Sequence, residues 1–199
     1  RELFLLSMKT ILKNISHKKL SLFWLAFFLT LILVFAWFYF QHLFNVHFDD
    51  EDDNFFLGKL FWENRQIYSS IYFQHQPLTF IISALWQKLT IPNSIFLLVK
   101  RHRELMIAWS LVWSVLLFQR FGKMFIPLIS VFELGKIFLL GNLFLAESLI
   151  VYPLFYLLSL LFFPKKTLSS SETVIASLII CFLFYNLLPL WPLLGFLSL

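Results

Sequence analysis

Apolar and polar residues follow one another along this chain in long blocks, with little short-period alternation. Residues 20–40 carry no charged side chain, and their number is close to the roughly 20 that an α-helix needs to cross a bilayer. This predicts a first spanning helix that acts as a signal anchor. The block before it is basic, with Arg1, Lys9, Lys13, Lys18 and Lys19, and basic flanks mark the cytoplasmic side. The polar passage that follows, His47 to Leu78, is therefore expected on the outer side. Pro77 to Leu89 is apolar but short, as in an interfacial helix, and Ile91-Pro92-Asn93 is a turn signal.

Further apolar blocks predict spans over residues 105–119, 124–140, 146–163 and 173–190, with a long outer loop over 41–104. Gly141-Asn142 divides the third span from the fourth, Arg120 and Lys123 mark an inner turn, and Pro189 and Pro192 end the last span. The expected fold class is all-α: a polytopic transmembrane helical bundle whose first outer loop contains short interfacial helices. It would form a single domain over residues 1–199, in the plasma (inner) membrane with the N-terminus cytoplasmic. An initial Arg and a final apolar run suit a piece of a longer protein.

Composition agrees with the pattern. The chain is 60% hydrophobic with 27 Phe and only 14% charged residues, against about 45–50% and about 25% in soluble domains. Its net charge of +5 would suit nucleic acid, but the basic residues are scattered between apolar blocks, where they set topology. A single cysteine, Cys181, provides neither a disulfide framework nor a thiolate metal site.

The candidate chemistry lies in the outer loop. Asp49 to Asp53 are five consecutive acids, whose mutual repulsion couples their titrations and would prepare one carboxylate as a general base. The structural alternative is a solvated turn in which Asp53 or Asn54 caps a helix starting at Phe55. Lys59, Arg65, Lys88 and the cluster Lys100-Arg101-His102-Arg103 place cations on this same outer side, as an anionic ligand would require. Glu133 and Lys136, three residues apart in an apolar block, share a helix face and predict a mutual ion pair.

The order Asp50-Glu51, Phe55-Phe56, Gly58-Lys59, Tyr68 and His75-Gln76-Pro77-Leu78 resembles the first outer loop of the integral-membrane C-type glycosyltransferases. The similarity is to the protein O-mannosyltransferase and lipid A aminoarabinose transferase branch, with Gln76 standing where that branch has a proline. Downstream, Arg101 or Arg103 resembles an Arg at the head of the family's second span, Arg120-Phe121-Gly122-Lys123 its cytoplasmic turn, and Ala146-Glu147 its outer Ala/Thr-Glu.

The resemblance implies transfer of a sugar from a polyprenyl-phosphate donor to a lipid, glycan or protein acceptor at the outer face. Asp50 or Glu51 would take the acceptor proton. Lys100, Arg101, Arg103 and Lys88 would bind the donor phosphate, with His75, Tyr68 and Glu147 in support. No cofactor is specified, and assistance by a divalent cation is left open. Two other classes compete: a transporter or channel lined by Glu133, Lys136 and Glu147, and a non-catalytic membrane assembly protein.

Overall fold

The computed structural model describes residues 2–44, 51–65, 77–136, 138, 141, 143–162, 169–186, 191 and 195. The described residues are all-helical. In chain order the helices are α1 (Glu2–Gln41), α2 (Glu51–Trp62), α3 (Leu78–Thr90), α4 (Ile95–Phe121), α5 (Phe125–Lys136), α6 (Ala146–Phe162) and α7 (Ser170–Phe184). A 3₁₀ turn, Gly122–Met124, joins α4 to α5.

The long helices pack antiparallel to their chain neighbours. Chain reversal at Gly122, which takes φ +58°, returns α5 along α4 until Lys136 reaches Ser110. Helix α6 runs back again: Trp109 bonds the Leu149 carbonyl near its start, and Arg120 bonds Ser159 near its end. Helix α7 starts beside Arg120, through Glu172, and finishes where the Tyr185 carbonyl accepts from the Leu78 amide. Phe28, Leu117, Phe125, Ile129, Tyr156 and Leu183 form the main core between these helices.

Two apolar stretches, Ser21–Gln41 and Ile95–Lys136, are long and apolar enough to cross a membrane. The second is the α4–α5 hairpin and not one straight rod. Over residues 21–41 of α1 the outward face is almost wholly apolar, with Phe23, Phe27, Leu33, Val34, Trp37 and Phe40 exposed.

Several element boundaries differ from those expected. Helix α2 begins at Glu51 and not at Phe55, taking Glu51, Asp52 and Asp53 into its first turn. Carboxylates there complement the positive end of the helix dipole, a stabilisation that a reading of the acids as a turn does not count. Helix α4 starts at Ile95, ten residues before the expected span, because Ser94 caps it by accepting from the Leu97 amide. The run Ser169–Ser171 supplies another start: Ser169 and Glu172 make a reciprocal capping box for α7.

Candidate functional site

Helices α2 and α3 lie together at the end of the bundle where α1 finishes and α4 begins. Gly58 permits their close approach. A Cβ added there would sit 2.6 Å from Ser83 Oγ and 3.0 Å from the Ala84 amide nitrogen, so only glycine fits this crossing. Beside it, His102 Nδ1 donates to the Leu98 carbonyl at 2.8 Å, and Nε2 lies 2.9 Å from Ser83 Oγ. A ring donating through Nδ1 accepts at Nε2 when neutral, so the Ser83 hydroxyl donates to it. Gln87 Nε2 in turn donates to Ser83 Oγ at 3.0 Å and to the Phe55 carbonyl at 2.9 Å. This buried chain fixes α2, α3 and α4 to one another. From sequence, His102 is only a member of the basic cluster and Ser83 and Gln87 have no role, because nothing local shows that the three meet.

The predicted site residues are distributed as follows. Glu51 is fully buried at the start of α2. Its Oε1 accepts from Arg103 Nε at 3.2 Å and also from Nη2, while Oε2 accepts from the Phe144 amide at 3.1 Å. Arg103, 1% exposed, donates in addition to the Leu43 carbonyl. Four segments of the chain thus meet at one ion pair: the residues just after α1, the first turn of α2, the third turn of α4 and the link into α6.

Lys100 and Arg101 remain partly exposed on α4 and pair with Glu104, Arg101 Nη1 at 2.8 Å and Lys100 Nζ at 4.0 Å. Lys88 is exposed in the last turn of α3, and Glu147 is exposed in the first turn of α6. Asp50, Tyr68 and His75 lie outside the described residues. Among the described residues, no group of three or more His, Cys, Asp or Glu side chains is placed to hold a metal ion.

Between α2 and the α3–α4 turn lies an open groove of about 850 Å³. Asp52, Lys59 and Trp62 of α2, with Glu63 just beyond its end, face Asn93 and Ser94 across it. A second polar cluster is buried in the bundle. Lys136 Nζ is 2.7 Å from Glu133 Oε2 and donates to Ser110 Oγ at 3.0 Å. Tyr152 donates its hydroxyl to Glu133 Oε1 and Tyr39 donates to the Glu133 carbonyl. The ion pair expected from the spacing of three residues is therefore present, with two tyrosines and a serine around it.

No protein-family model, curated protein or solved structure matches this chain.

Proposed function

We propose that this chain is the membrane-embedded N-terminal part of a C-type glycosyltransferase, with five spans formed by α1, α4, α5, α6 and α7. One observation carries this reading: Glu51, from the loop motif, and Arg103, at the head of the second span, are in direct contact although 52 residues apart. The resemblance gives the Asp-Glu of the loop and Arg101 or Arg103 as separate landmarks, and contact between Glu51 and Arg103 supports reading them as parts of one site. The apolar outer face of α1 fits lipid contact, since soluble proteins rarely expose such a continuous patch. On this reading α2 and α3 lie at the outer face of the inner membrane and the N-terminus is cytoplasmic.

Reaction requires a base for the acceptor hydroxyl and cations for the leaving phosphate. The hydroxyl oxygen bonds the anomeric carbon, its proton goes to a carboxylate, and the phosphate departs with the electron pair of the broken carbon–oxygen bond. Both oxygens of Glu51 are committed to Arg103 and Phe144, so Glu51 positions the loop and Asp50, its neighbour, is the base. Lys100, Arg101 and Lys88 are accessible and stabilise charge on the phosphate, while Arg103 acts through Glu51. Tyr68, His75 and Glu147 are the supporting groups. A transport path through the buried Glu133–Lys136 pair is less well supported, because the space beside it is about 10 Å³, room for about one water.

The test uses membranes carrying the full chain and a labelled polyprenyl-phosphate sugar. Asp50→Asn is expected to abolish transfer. Glu51→Gln is expected to reduce it together with folded yield, and full transfer by both variants would overturn the proposal. Cysteine labelling at Ser69 from the cytoplasmic side alone would overturn the topology.

A further inference from the structure

Helix α3 turns its two faces the opposite way from a helix in water. The side buried in the protein carries Thr79, Phe80, Ser83, Ala84 and Gln87, and three of these are polar. The other side carries Leu78, Ile81, Leu85 and Leu89, which recur at intervals of three, four and four and so form one stripe. Leu85 and Leu89 are exposed, Leu89 to 75%. A surface helix of a water-soluble domain turns its apolar stripe to the core and its polar side outward. In α3 the polar side is fixed inward, because Ser83 is bonded to His102 and Gln87 to the Phe55 carbonyl.

The apolar surface continues beyond α3 and reaches α1. Ile91 in the α3–α4 turn and Phe96 at the start of α4 are exposed. The Phe96 ring lies 6.5 Å from that of Phe44, just after α1, and Lys100 Nζ lies 5.7 Å from the centre of the Phe40 ring in the last turn of α1. These contacts join the α3 side to the outer end of Ser21–Gln41, which is long and apolar enough to cross a membrane. Cations border the same surface. Lys88, three residues from Leu85, is exposed and has no ion-pair partner among the described residues. Lys100 and Arg101 share the one carboxylate of Glu104. The acids Asp52, Asp53 and Glu63 line the groove that Gln87 also lines, on the other side of α3. An apolar stripe edged by cations complements acyl chains beneath a layer of phosphates.

We propose that α3 docks on the lipid leaflet beside it, with Leu85, Leu89, Ile91 and Phe96 at the acyl-chain boundary and Lys88, Lys100 and Arg101 against lipid phosphates. An interfacial helix buries its apolar face about 5–10 Å into the boundary between head groups and acyl chains. The docking fixes α2 to the same depth, since Gly58 holds α2 tightly against Ser83 and Ala84 of α3. A polyprenyl-phosphate donor resides in that leaflet, so the depth of α3 sets where its phosphate meets the cations of α4. This inference rests on the membrane placement proposed above and not on sugar transfer.

The experiment places the full chain, carrying Cys181→Ser, in phosphatidylcholine nanodiscs, where both faces of the bilayer are open to solvent. Leu85→Cys, Leu89→Cys and, as a control on the α2 side, Glu63→Cys are each labelled with the fluorophore NBD. All three positions are exposed, and an unchanged helix signal in circular dichroism confirms folding. Phosphatidylcholine spin-labelled near the top of its acyl chain is expected to quench the labels at Leu85 and Leu89 at least threefold more than the label at Glu63. Aqueous iodide is expected to show the reverse order. Adding Lys88→Glu is expected to halve the lipid quenching at Leu89, and quenching that stays the same removes the lipid phosphate from Lys88 and overturns that contact. Labels at Leu85 and Leu89 that iodide quenches as readily as the control overturn the docking. Labels shielded from both quenchers, with disulfide-linked dimers formed by unlabelled Leu85→Cys, overturn it in favour of a second copy of this chain. Lipid quenching in a chain that transfers no sugar would sink only the enzymatic reading, and water-exposed labels in an active chain would sink only the docking of α3.

Discussion

Arg103 and Glu51 form a buried ion pair that also bonds the Leu43 carbonyl, through Arg103, and the Phe144 amide, through Glu51. Removing one partner strands the other charge in the interior, a loss of about 3–5 kcal/mol. Arg103→Met and Glu51→Leu are each expected to lose that much in denaturant unfolding in detergent. The double variant replaces the pair by apolar side chains of similar size, which is often neutral or stabilising, so it should recover most of the loss. A double variant no more stable than the worse single one would show that the bonds to Leu43 and Phe144, and not the pair, hold the segments together.

Gly58→Ala tests the crossing of α2 and α3. The new methyl would meet Ser83 Oγ at 2.6 Å and Ser83 Cβ at 2.8 Å, and Ser83 is itself held by Gln87 and His102. Overpacking of this kind costs about 1–3 kcal/mol. Gly135→Ala, within α5 and with nothing inside 4 Å, is the control and should gain about 0.5–1 kcal/mol from helix propensity. Thermal midpoints of the two variants moving in the same direction would contradict this packing.

Block hydropathy makes the helical class readable because a long uncharged run in a chain this apolar has few ways to satisfy its backbone other than a helix. The Glu133–Lys136 pair is readable for a local reason, since spacing alone puts both groups on one face. The Glu51–Arg103 pair is not local. Its formation depends on how α2 folds back onto α4, and no periodicity encodes that distance. The same holds for Ser83, Gln87 and His102, two lone polar residues and a member of the basic cluster, whose contacts arise only where α2, α3 and α4 meet. The acidic run misleads for a different reason: its members share one composition but not one environment, with Glu51 buried and Asp52 and Asp53 exposed.

Gly122 carries the reversal between α4 and α5 with φ +58° and ψ −143°, a region open essentially to glycine alone. A side chain forced into it costs about 1–3 kcal/mol, although nothing lies within 4 Å of an added Cβ. Gly122→Ala is therefore expected to lower the thermal midpoint through the backbone alone. At roughly 2–4 °C per kcal/mol for a chain of this size, the shift is readable by circular dichroism. An unchanged midpoint would mean that the turn relaxes to another conformation.

Lys136 is the cation that neutralises Glu133 in the interior, at 2.7 Å, and its ammonium also lies 4.4 Å from the centre of the Tyr39 ring. Lys136→Met leaves the Glu133 carboxylate with the Tyr152 hydroxyl as its remaining described side-chain donor, and a loss of about 3–5 kcal/mol is expected. Glu133→Gln with Lys136→Met removes both charges and should restore much of it, since the glutamine can still accept from Tyr152. On the proposed enzymatic reading, sugar transfer by the folded double variant is expected to persist, because neither residue lines the groove beside α2 or pairs with Lys100 or Arg101. Solute flux across vesicles carrying the wild-type chain, abolished by Glu133→Gln, would instead make this pair a conduction element and favour the transporter.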